Sequence, residues 1–168
     1  GIMGGLNSCV DKSTKEVFLE VAYFDPKKIA QTGRRLGIFS DARYRFERGI
    51  DPKGLLEGLE LATKLINDIC GGSFSNYLVT GKTIEKKAPI NFNYNSFERL
   101  VGYKISVDKQ MDYLQRLNFS FNHKTENSID LTPPSWRHDI TIENDIIEEI
   151  LRIEGYDKIP IKELSLKK

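Results

Sequence analysis

Apolar residues recur along this chain with two periods, and the change from one to the other lays out its elements. In EVFLEVAYF, Glu16 to Phe24, β-branched and aromatic residues predominate, which predicts a mostly buried strand. Glu20 interrupts that run, so its carboxylate either faces solvent or sits in a pocket that offers a donor. Asp25 and Pro26 supply an N-cap and a first helical residue for a short helix through Lys27 to Thr32. From Leu55 to Cys70 the period is helical: Leu55, Leu59, Ala62, Leu65, Ile66 and Ile69 form one stripe, expected in a core, and Gly71-Gly72 stops the helix. Ser73 to Lys87 turns polar and lysine-rich, which predicts a strand followed by a linker and a domain boundary near Lys87.

Beyond the boundary, Pro89 to Tyr94 alternates as a short strand, and Asn95-Ser96 caps a brief turn holding Phe97, Leu100 and Val101 that Gly102 ends. Ser106 caps a helix from Val107 to Leu117 with Val107, Met111, Leu114 and Leu117 on one face. Phe119 to Phe121 and Ile129 to Leu131 read as a hairpin around a polar tip, His123 to Ser128. A last helix, Asn144 to Glu154, buries Ile146, Ile147, Ile150, Leu151 and Ile153, and Gly155 closes it. The order predicts an α+β chain of two modules, residues 1–87 and a winged-helix-like module at 88–168. Modules of that outline bind nucleic acid or serve only as docking scaffolds.

Composition narrows the function classes. Length, 168 residues, and 39% hydrophobic content suit two small cores. With 25 basic against 24 acidic residues the formal charge is +1, so neither a nucleic acid nor a membrane is called for by net charge, and any such role rests on local patches. Cys9 and Cys70 lack metal-ligand spacing, which points to a reducing, cytoplasmic setting. No apolar run reaches the roughly 18 residues of a membrane span, and GIMGGLNS lacks the regions of a secretory signal; GIMGG reads as the interior of a domain, with Gly1 a truncation point.

Two stretches carry candidate chemistry. Arg34 to Pro52 holds Arg34, Arg35, Arg43, Arg45 and Arg48 interleaved with Tyr44 and Phe46, the residue types that pair with phosphates and stack on bases. Asp41, Glu47 and Asp51 equally suit an internal network that neutralises those arginines. Ser40, Asp41 and Ala42 form a small polar turn open to a ligand. The second stretch, Thr132 to Glu149, starts with Pro133-Pro134, a stiff arm for Trp136 and Arg137, with Trp136 expected to anchor the core under the hairpin. Asp145, Glu148 and Glu149 share one helical turn and Asp139 can fold back toward it. Four such carboxylates need a cation, an arginine or a positive helix end, and their hard oxygens suit Mg²⁺ better than zinc or copper. His123 and His138 have no nucleophile at triad spacing, and the phosphate-cradling patterns GxxxxGK[ST] and GxGxxG are absent.

PPSWRHDI followed by ENDIIEEILRIEGYDKIP resembles the fifth module of bacterial phenylalanyl-tRNA synthetase beta subunits. GIMGG, FLEVAYFDP, RRLGIFSDARYRFERGIDP and ICGG resemble, in the same order, the second half of that family's editing domain. The resemblance implies that Asp139, Asp145, Glu148 and Glu149 serve Mg²⁺ at an interface with the catalytic alpha subunit. It also implies that Gly4, Glu20, Ser40 and Ala42 belong to a pocket that hydrolyses tyrosine misattached to the phenylalanine tRNA. Arg34, Arg35, Arg43 and Arg45 become tRNA contacts, and ATP belongs to the parent heterotetramer rather than to this chain. Ser40 stands where the family often has threonine, and Arg43 where a small serine is usual. The implied state of the isolated chain is catalytically inactive, with the four carboxylates exposed. The competing expectation is a stand-alone nucleic-acid-binding or scaffold module without chemistry.

Overall fold

The computed structural model describes residues 1–82 and 87–161, which fall into two compact units, Gly1–Ile84 and Glu85–Lys168. Helices combine with one small antiparallel sheet, an α+β composition.

In the first unit the regular elements are helical. Helix α1, Pro26–Leu36, starts where Asp25 Oδ1 accepts from the amides of Lys27 and Lys28 at 2.9 and 3.2 Å, and ends at Gly37, whose φ of 62° suits a residue without a Cβ. It runs several residues beyond the expected Thr32. Helix α2, Asp41–Phe46, is capped by Ser40, and α3 spans Leu55–Cys70 as the apolar period predicts. Phe24 and Phe46 meet edge to face with ring centroids 5.1 Å apart.

Two expectations for this unit fail. Glu16 to Phe24 is not a strand, because a strand exists only when its backbone groups meet a partner, and no described residue of 1–82 offers one. The α3 stripe is not a core either: no α3 residue is buried, and Ile69 is 80% exposed. Phe18 and Phe39 are also exposed, at 95% and 89%. No strand forms in 73–82, and the remainder of that expected strand and linker includes residues 83–86, outside the described range.

The second unit holds the dense core. Strand β1 (Ile90–Asn93) pairs antiparallel with β3 (Ser128–Thr132), which pairs with β2 (Ser120–Lys124), in the order β1-β3-β2. The register sets Phe92 opposite Ile129 and Ile90 opposite Leu131, so one face of the sheet is apolar. Helices α4 (Ser96–Val101), α5 (Val107–Arg116) and α6 (Glu143–Glu154) complete the unit. Phe92, Phe97, Leu114, Leu131, Ile146 and Ile150 are fully buried together. Ser106 caps α5 as expected, its Oγ accepting from Lys109 N at 3.3 Å. Asn118, in the left-handed region at φ 61°, turns the chain from α5 into β2, a conformation asparagine tolerates.

Candidate functional site

The Pro-Pro stretch ends in a turn closed by Arg137 N donating to Pro134 O at 3.0 Å, and both prolines are buried. Trp136, expected beneath the hairpin, is instead 54% exposed: the turn consumes the buried surface with the prolines and points the indole away. Lys87 Nζ donates to the carbonyls of Arg137 and Ile140 at 2.7 and 3.4 Å and holds this loop in place.

Arg137 organises the acidic cluster. Its Nε and Nη2 donate to the two oxygens of Asp139 at 2.9 and 2.6 Å, and its Nη1 donates to Glu149 Oε2 at 2.7 Å. Arg152 adds bonds to Glu149 from Nε and Nη2 at 3.2 and 2.7 Å. Glu149 therefore departs from the exposed state expected for it; it is 7% exposed, and a carboxylate that is buried stays ionised only when paired in this way. The hydrogen bonds from Arg137 and then Arg152 hold its carboxyl at a pKa of about 2, and the Arg137 bonds hold Asp139 at about 2. Asp145 is committed differently. Its Oδ2 accepts from the amides of Thr141 and Ile142 at 2.7 and 3.0 Å, reaching back to the N-terminus of α6, and these bonds lower its pKa.

Asp139 does fold back. It lines one cavity of about 150 Å³ with Arg137, Ile140, Asp145, Glu148 and Glu149. Among the described residues no three acidic, histidine or cysteine side chains converge into a metal cage of their own. Two sets of oxygens in the cavity carry no hydrogen bond or ion pair among the described residues: Oδ1 of Asp145 and the carboxylate of exposed Glu148. Hard oxygens from one or two carboxylates, with retained waters, are what Mg²⁺ takes, so this donor set fits it as a partial site.

The first-unit candidates are more dispersed. Gly4 lies in an open concavity lined by Met3, Gly4, Gly5, Leu6, Ser8 and Cys9; Glu20, Ser40 and Ala42 do not line it. Glu20 and Ala42 are exposed, and Ser40 is half-buried with its Oγ accepting from Arg43 N at 3.1 Å. Arg43 is turned inward and 7% exposed, donating to Glu47 Oε2 at 3.0 Å and to Ile38 O at 2.6 Å. Arg48 pairs with Glu47 at 3.3 Å and its guanidinium lies 3.7 Å from the centre of the Tyr44 ring. Arg34, Arg35 and Arg45 are exposed and form no ion pair among the described residues. The arginine stretch thus divides between internal pairing and an outward-facing set.

One constellation escaped the sequence reading. The buried Glu154 carboxylate accepts from Tyr113 Oη at 2.7 Å, and pairs with Lys109 and Lys158 at 2.8 and 2.6 Å. Hydrogen bonds from Lys109 and then Lys158 hold it at a pKa of about 2. Its place in the last turn of an apolar helix beside Gly155 was the one available signal, since a glutamate there opposes the helix dipole and needs cations.

Comparison with known proteins bears on both units. Residues 1–71 match the B3/4 domain family and residues 90–156 the tRNA synthetase B5 domain family. The phenylalanine–tRNA ligase beta subunit of Paramagnetospirillum magneticum is 44% identical over 160 residues, which is 95% of this chain and 20% of that protein. Beta subunits from a Wolbachia of Brugia malayi and from Mesorhizobium japonicum are 41% and 42% identical, again over 95% of this chain and 20% of their own length. The chain therefore spans about a fifth of these relatives.

Proposed function

Because the chain belongs to the phenylalanine–tRNA ligase beta-subunit family, carrying its B3/4 and B5 domains in order, we propose that it acts as one segment of such a ligase in tRNA aminoacylation. Within it, the first unit edits and the second assembles. The carrying observation is the joint match of both domains over 95% of the chain at 41–44% identity. In the first unit Glu20 accepts the hydroxyl of a tyrosine misattached to the phenylalanine tRNA, a bond that phenylalanine cannot make, while Gly4, Ser40 and Ala42 shape the pocket. Exposed Leu65, Ile66 and Ile69 of α3, with Phe18 and Phe39, support reading this unit as part of a larger domain that covers those side chains. Exposed Arg34, Arg35 and Arg45 contact the tRNA backbone; Arg43, expected among them, does not, since it is buried and its guanidinium is committed internally.

The second unit, read as a winged-helix-like module, docks the alpha subunit through the acidic cavity. Glu148 and Asp145 hold Mg²⁺ there, with Asp139 and Glu149 kept ionised beside it by Arg137. Bound there, the ion would supply positive charge that offsets the outward carboxylates of Asp145 and Glu148. ATP binds elsewhere in the parent heterotetramer, and the setting is cytoplasmic; among the described residues no helix is long and apolar enough to cross a membrane.

Grafting this chain in place of the matching segment of the Paramagnetospirillum magneticum beta subunit tests the reading. The chimaera, with its alpha subunit, charges phenylalanine tRNA and deacylates tyrosyl-tRNA; loss of both in a soluble, assembled chimaera contradicts it. The isolated chain does neither.

A further inference from the structure

Helices α1 and α2 meet through an unusual pair. Gly33 is buried in α1, and the space its missing side chain leaves is filled by the aliphatic end of Arg43 from α2: a Cβ on Gly33 would overlap Arg43 Nε and Cδ and come within 2.8 Å of Cζ. The guanidinium cannot simply swing aside, because it is fixed at two further points, Ile38 O at 2.6 Å in the α1–α2 connection and Glu47 Oε2 at 3.0 Å at the end of α2. The backbone N–H of the same residue donates to Ser40 Oγ at 3.1 Å, and the guanidinium carbon lies 5.3 Å from the centre of the Phe39 ring. One residue therefore ties together α1, the connection, the Ser40 cap and the C-terminal end of α2. A buried guanidinium bonded through Nε and Nη1 to two fixed acceptors is a rigid strut, since releasing it strands a buried charge and leaves Ile38 O and Glu47 Oε2 without their donors.

We propose that Arg43 is a positioning residue for discrimination at the Ser40–Ala42 turn. Seated on Gly33, it sets the height and angle at which the N-terminus of α2 presents Ser40 and Ala42 to the tyrosyl end of a mischarged tRNA. The assignment rests on the editing role proposed above for that turn. Arg43 touches no substrate; it acts through the turn it holds, and Gly33 is the second half of the device.

The test uses a complete ligase carrying this segment, with steady-state deacylation of tyrosyl-tRNA measured for Gly33→Ala, Arg43→Ser, Arg43→Lys and the double variant Gly33→Ala/Arg43→Ser. Displacing this pocket-shaping turn by a fraction of an ångström lowers kcat by about tenfold in Gly33→Ala and in Arg43→Ser, with KM for the tRNA held within about twofold. Arg43→Lys, which keeps the charge and one anchor, loses less. With serine at 43 nothing occupies the Gly33 surface, so the double variant is no worse than Arg43→Ser alone. Aminoacylation by the same preparations is unchanged and reports that the enzyme is folded. Wild-type deacylation with kcat unaltered in both single variants overturns the positioning role, as does a double variant whose loss is the product of the two. A parallel Glu20→Ala variant separates the two ideas: if it and the wild type deacylate tyrosyl-tRNA no faster than buffer, the editing reading itself fails.

Discussion

Arg137 Nη1 and Glu149 Oε2 lie 2.7 Å apart, joining the loop after Pro133-Pro134 to the middle of α6. Because Glu149 is buried and Arg137 is three-quarters covered, the pair falls between an exposed ion pair and a fully buried one. Arg137→Ala is expected to destabilise the second unit by about 2 kcal/mol, with Arg152 retaining part of the charge balance. Trp136 is the only tryptophan and adjoins Arg137, so urea unfolding followed by its fluorescence reads this unit selectively.

Acid should weaken the same unit in a defined window. Glu149 and Glu154 titrate near 4.5 in an unfolded chain and near 2 when folded. The folded state thus holds fewer protons between those values, so stability is complete above about pH 4.5 and is lost as pH falls toward 2. Each buried carboxylate contributes about 3 kcal/mol over that range. Glu149→Gln flattens the Trp136-monitored stability profile between pH 4.5 and 2 relative to wild type, and a profile of unchanged slope contradicts the assignment.

The two units should respond unequally to the loss of an apolar side chain. Leu114 is fully buried, so Leu114→Ala costs about 2–5 kcal/mol in the Trp136-monitored melt. Ile69, the last residue of the expected stripe yet exposed, costs less than about 0.5 kcal/mol when replaced by alanine in the 168-residue chain, so the helical signal in far-ultraviolet circular dichroism and its melting stay as in the wild type.

Divalent binding divides the acidic residues by their commitments. In the complete ligase, with Mn²⁺ as a paramagnetic probe for Mg²⁺, Glu148→Gln weakens binding about tenfold, the order of effect of losing one carboxylate ligand or its support. In the 168-residue chain the same ion binds weakly, since Arg137 already compensates Asp139 and Glu149. Tight binding by the isolated chain, unaffected by Glu148→Gln, contradicts the partial site.

Local chemistry explains which features could be read from the sequence. Asp25 and Ser106 announce their helices because an N-cap acts within three residues, whereas the short helix behind Ser40 reads only as a polar turn, and the alternation around Phe92 and Ile129 announces a sheet whose partners lie in the same unit. The strand expected at Glu16 to Phe24 and the core expected along α3 depend on what packs against them, which no local pattern encodes. The acidic turn was visible as a charge problem, with arginine among the possible answers. That Arg137 answers it for Asp139 and Glu149, while Asp145 turns to its own helix start, depends on a loop geometry that spacing does not reveal. For Arg43 the sequence leaves phosphate contact and pairing with Glu47 as equal readings; the pairing is the one that forms, and only the gap left by Gly33, ten residues earlier, shows why the side chain turns inward.

The most direct test of the proposed role is deacylation of tyrosyl-tRNA and phenylalanyl-tRNA, side by side, by a complete ligase bearing Glu20→Ala in this segment. A lost hydrogen bond to the tyrosine hydroxyl predicts a fall of about 10²-fold or more in kcat/KM for tyrosyl-tRNA, with slow phenylalanyl-tRNA hydrolysis unchanged and the preference for tyrosine gone. Equal preference for tyrosine in the variant and the wild type would contradict it.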